Sequence, residues 1–148
     1  MSKSLLNKLT TSKPSWSTLV LRIPVGLIFM AHGAQKLFAW FGGYGLEGTG
    51  QWMETIGLAP GYLMALMAGS AEFFGGLFII IGLLTRPTAL VLAITMVVAI
   101  LTVHIENGLF MSNNGYEFGL SLIIISLALM LQGAGRLSLD NIITNRTK

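Results

Sequence analysis

The polar side chains of His32, Gln35, Lys36, Glu72, His104 and Glu117 lie within, or at the ends of, long apolar stretches of this 148-residue chain. His32, Gln35 and Lys36 stand at i, i+3 and i+4, so a helix carries all three on one face. Charges inside a bilayer are costly, usually face a bundle interior and mark function. An imidazole, an amide, an ammonium and carboxylates gathered there are equipped to donate hydrogen bonds to a polar ligand and to exchange protons. The same groups could line a path for a small molecule or proton, or bind helices to one another.

Heights decide which of them can meet. Glu72 precedes Arg86 by 14 residues and Lys36 follows Arg22 by 14, so at ~1.5 Å per residue each lies ~21 Å from one boundary. If the first span is counted from Trp16 instead, His32 becomes the nearer partner in height, and spacing alone leaves both pairings open. Further out, His104 lies ~27 Å above Arg86 and Glu117 ~28 Å above Arg136, which predicts a His104–Glu117 contact with Glu106 close by. Arg22 is expected to snorkel toward the inner surface, and Lys36 has the alternative of snorkelling outward.

The elements that must position these groups follow from composition. Hydrophobic residues make up 53% of the chain and charged residues 10%, with a mean hydropathy of +0.74. Disordered chains need the opposite balance, and a water-soluble surface needs more charge. The absence of cysteine excludes disulfide scaffolds, thiolate metal sites and covalently attached haem, and no resident metal is expected. Four membrane spans use ~80 residues. They are expected at about 16–41, 62–84, 87–104 and 116–134, within one domain of residues 16–140. The small residues Ala65/Gly69 and Ala71/Gly75 in the second span suit close helix contact. Residues 1–15 read as a tail with a short interfacial helix around Leu5, Leu6 and Leu9, and residues 141–148 as a second polar tail. The glycine-rich loop at 42–61 is expected to carry a short interfacial helix over Gln51–Ile56.

Counting basic residues sets the orientation. With both termini cytoplasmic, Lys3, Lys8, Lys13, Arg22, Arg86, Arg136, Arg146 and Lys148 fall inside and Lys36 alone outside. The net charge of +3 then reflects basic segments against anionic lipid, and nucleic acid is not expected as a partner. Gly43-Tyr44-Gly45-Leu46-Glu47-Gly48 matches a dinucleotide-binding pattern by letters only, because it follows a membrane helix and not a strand.

Several segments, taken in order, resemble the DoxX family of small four-helix membrane proteins. They are His32-Gly33-Ala34-Gln35-Lys36, Ala71-Glu72 with Gly75-Gly76, and Gly82-Leu83-Leu84-Thr85-Arg86. His104, Gly115-Tyr116-Glu117 and Gly133-Ala134-Gly135-Arg136-Leu137-Ser138-Leu139-Asp140 complete the set. The resemblance spans roughly Trp16 to Asp140. It implies an all-α, up-down four-helix bundle in the bacterial inner membrane, linked to quinone, to membrane oxidoreductase complexes and to oxidative stress. On that basis the expected function is a quinone-interacting subunit of a redox system, working with a redox partner protein and able to self-associate. His32, Gln35 and Lys36 would then donate to quinone carbonyls, Glu72 and His32 would exchange protons, and His104 and Glu117 would form an outer polar layer. The rival expectations are a small-molecule or proton transporter and a structural or assembly factor without catalysis.

Overall fold

The computed structural model describes residues 3–12 and 15–147. Among them every regular element is helical and no strand forms. The α-helices are α1 (Lys3–Thr10), α2 (Trp16–Phe38), α3 (Gly45–Thr55), α4 (Gly61–Ile81), α5 (Thr85–Ala99), α6 (Glu117–Gln132) and α7 (Leu139–Thr147). A π-helical stretch, Ile100–His104, carries α5 onward. The helices α2, α4 and the continuous run Thr85–Asn107 are each long and apolar enough to cross a membrane. The equally apolar α6 has 16 residues, ~24 Å of helix.

Local chemistry sets the ends. The Ser15 hydroxyl accepts from the Ser17 amide and caps α2, which then runs unbroken through Pro24. The left-handed Gly82 closes α4, with its own amide bonded to Ile79 O and the Leu83 amide to Phe78 O. That turn sends the chain straight into α5.

The helices pack as antiparallel neighbours. Near the middle of α2, Gly26 faces Gly76 of α4. Two turns later Gly33 faces Gly69 and Phe73, and a Cβ on Gly33 would stand 2.3 Å from Phe73 N. The two backbones therefore touch with no side chain between them, the close approach that small residues permit in lipid. Of the small pairs expected in α4, Gly69 joins this seam and Ala65 is fully buried. Gly75 turns instead toward Leu92 of α5. Helices α5 and α6 form a second antiparallel pair, with Ile100 against Gly119 at one end and Arg86 against the last turn of α6 at the other. Val25, Phe29, Ile79, Leu92, Met96, Leu122 and Leu129 fill the space between the pairs. Val20, Met67, Ile94, Leu101 and Ile124 point outward, the inverted surface of a protein that faces lipid.

The two expected tails are largely helical. α1 packs on α7, where the Thr10 and Thr144 hydroxyls share a 2.8 Å hydrogen bond. Of the segment 141–148, expected as a polar tail, residues 141–147 are helical as part of α7. What holds them is this pairing, together with Ser12 Oγ donating to Asn141 Oδ1 at 3.4 Å. Lys13, Pro14 and Lys148 lie outside the described residues. The short helix expected in the first loop begins earlier, at Gly45, and docks on α4: Gly50 packs on the Gly61–Tyr62 backbone and Glu54 accepts the Gly61 amide.

Candidate functional site

The α2–α4 seam delivers two charges to each other. Because the helices are antiparallel, Lys36, three residues beyond Gly33, and Glu72, three residues beyond Gly69, flank the close crossing from opposite sides, and the long Lys36 side chain, packed against Gly69, bridges it. Lys36 Nζ donates to Glu72 Oε2 at 2.6 Å. Of the two partners that spacing left open, Lys36 takes the carboxylate. The Glu72 side chain is 4% exposed and that of Lys36 24%. The ammonium thus covers the carboxylate, and a molecule approaching the site meets Lys36 first. A buried carboxylate without such a partner would be strongly disfavoured.

His32 lies one turn below Lys36 on the same face, and its carbonyl accepts from Lys36 Nζ at 3.5 Å. Its ring is exposed and reaches across to α6, where it meets the Phe118 ring at 5.9 Å between centroids, tilted 47°. His32, Lys36 and Glu72 therefore form one cluster. Gln35 does not join it: Nε2 donates to the Phe41 carbonyl at 3.3 Å and holds the turn after α2.

The expected contact between His104 and Glu117 is absent. His104 Nδ1 pairs with the Asn114 carbonyl at 2.8 Å, and Glu117 Oε1 accepts the Met111 amide at 2.6 Å. The loop between them offers backbone partners that both take instead. These two residues order the 105–116 connection and stand apart from the Lys36–Glu72 cluster.

A second polar centre lies at the end that carries both termini. Arg22 does not snorkel; it is 0% exposed. Nε donates to Ile79 O at 2.9 Å, and Nη2 to Ile80 O and Leu137 O at 3.1 and 3.0 Å. Nη1 donates to Ala134 O and Arg136 O. The fork thus closes the last turn of α4, where the helix dipole favours a cation, and ties it to the 133–137 segment. Arg86 does the same for α6, donating to Met130 O and Leu131 O, both at 2.9 Å. Asp140 accepts the Leu84 and Thr85 amides at 2.7 and 2.9 Å and caps α5. Burial pushes the Asp140 carboxyl above its ordinary range, and those two amides pull it back. Spacing gave no sign of these roles, because the partners of Arg22 and Asp140 are main-chain groups that every residue owns.

An ion pair set between two backbone-contact helices, in an all-helical apolar chain, defines a helical membrane protein with a polar centre inside its bundle. The chain belongs to the DoxX family, whose family model matches residues 17–105. It is 38% identical over 123 residues to CatD of Bacillus subtilis (strain 168), provisionally named an oxidoreductase, with 83% of this chain and 84% of that protein covered. It is 33% identical over 134 residues to the inner membrane protein YqjF of Escherichia coli (strain K12), covering 86% and 92%. It is 30% identical over 157 residues to the membrane protein Rv3486 of Mycobacterium tuberculosis, covering 92% and 93%. No solved structure matches the chain significantly.

Proposed function

We propose that this protein is a multi-pass inner-membrane subunit of a redox or oxidative-stress system and that it interacts with quinone at the Lys36–Glu72 cluster. In this reading α2, α4, α5 with its π extension, and α6 span as an up-down four-helix bundle, forming one domain over residues 16–140. Both termini lie on the cytoplasmic side, supported by the basic residues that gather at that end. The inner-membrane names of relatives and the provisional oxidoreductase name of CatD support the setting.

The observation that carries the reading is Glu72 buried behind Lys36, with the His32 ring exposed beside them. Reduction of a quinone to a quinol takes two electrons and two protons. The electrons come from a redox partner protein. Lys36 donates a hydrogen bond to one carbonyl oxygen and favours the negative charge that reduction places there. Lys36 and His32 each deliver one proton to the reduced oxygens and regain it from water at the open side, and the Glu72 carboxylate, held against Lys36, favours the return of Lys36 to its charged form. His104 and Glu117 flank the 105–116 connection, bond to its backbone and take no part.

Titration of a short-chain quinone into protein in nanodiscs, followed by tryptophan fluorescence, tests this. Lys36→Met and Glu72→Gln should each weaken binding about tenfold, the loss of one charge-assisted hydrogen bond. Affinity unchanged in both variants overturns the proposal and leaves the pair as a bond between helices.

A further inference from the structure

Helix α2 packs along α4 for most of its length but touches α6 sparsely. In the lower half Val25 and Phe29 fill the space toward α6, together with Leu122 and Leu129. No α2 residue beyond Phe29 joins that core. His32, six residues before the end of α2, is exposed although it sits inside a spanning helix, and Phe118, on the first turn of α6, is 36% exposed. Their two rings form the contact across the gap. Behind this pair Lys36 is partly open and Glu72 is closed.

We propose that the gap between α2 and α6 opens sideways to the bilayer and that the His32–Phe118 ring pair is its gate, admitting a flat ring from the lipid phase to Lys36. The ligand class rests on the quinone reading above. A tilted ring contact between side chains on two loosely packed helices is inexpensive to part, since such a pair contributes only ~1 kcal/mol beyond the area it buries. A planar ring entering between them replaces ring contact with ring contact, while a bulky aliphatic headgroup does not. Leu120, Ile124 and Leu127 are exposed on the opposite face of α6 from Phe118, an apolar surface suited to lipid. Phe118 is on this account a specificity-determining residue: it selects for flatness, and the polar groups behind it select for carbonyl oxygens.

The chain contains no cysteine, so single thiols can be introduced without background. Nitroxide labels at Phe118→Cys and, separately, His32→Cys, in protein reconstituted in nanodiscs, report collisions with oxygen (lipid-soluble) and with a nickel chelate (water-soluble). Ile124→Cys provides the lipid-facing reference on the same helix. The proposal expects an oxygen-to-nickel ratio at 118 and at 32 as high as at 124, and a loss of oxygen collisions at both sites when short-chain quinone is added. A ratio that favours nickel overturns it, making the gap an aqueous mouth while leaving the quinone reading intact. Labels shielded from both reagents also overturn it, because the gap is then closed. Labels open to oxygen but indifferent to quinone keep the sideways opening and overturn the quinone reading instead. Two labels on facing helices guard against one variant that fails to fold.

Discussion

Lys36 and Glu72 meet at 2.6 Å across the crossing where Gly33 and Gly69 bring α2 and α4 into backbone contact. The ion pair and the glycine seam are therefore one device. The seam sets the helix separation at which an ammonium and a carboxylate from facing helices can touch, and the pair holds the register in which the glycines oppose each other.

The pair should behave as a coupled unit in stability measurements. Lys36→Met leaves Glu72 buried without its cation and should cost about 3 kcal/mol. The double variant Lys36→Met/Glu72→Gln removes the stranded charge and should recover much of that loss. Thermal unfolding of the two single variants and the double variant in detergent checks this; equal destabilisation by the first single and the double would contradict it.

Gly33→Ala should cost about 1–3 kcal/mol, because its Cβ would meet the Phe73 backbone and not the tip of a flexible side chain. Gly119→Ala meets only the Ile100 side chain at 3.0 Å and should be far milder. Midpoints of thermal unfolding for the two variants compare them directly.

Arg22→Lys should destabilise almost as much as Arg22→Met. A lysine keeps the charge but has three donors on one nitrogen, whereas the guanidinium reaches carbonyls on α4 and on the 133–137 segment at once. A loss of about 3 kcal/mol is expected from several charge-assisted bonds. The check is the yield and melting temperature of each variant, with Arg86→Lys as the comparison on α6.

Asp140→Ala should cost about 1 kcal/mol or more, because the Leu84 and Thr85 amides at the start of α5 lose their acceptor. Hydrogen exchange at those amides should rise in the variant while exchange in the middle of α4 stays unchanged.

The helical class and the spanning stretches are plain in the sequence, because a bilayer demands long uncharged runs and Glu72 breaks one of them conspicuously. The face shared by His32 and Lys36 follows from helical period alone. Gln35 shares that spacing yet leaves the cluster, since the Phe41 carbonyl offers a nearer partner once the chain turns after α2. His104 and Glu117 show the same limit: a loop whose backbone groups lie closer captures both side chains. Arg22 and Asp140 were illegible for a related reason. Their partners are carbonyls and amides far away in sequence, and main-chain groups leave no letter to read.

The anchoring of Arg22 has a mechanical consequence. Its fork grips the last turn of α4 and the segment that leads into α7, so α2 cannot slide along its axis like a piston without tearing those bonds together. Arg86 grips the last turn of α6 in the same way, so both helices that face the proposed gate are pinned at one end, like doors hung on fixed posts.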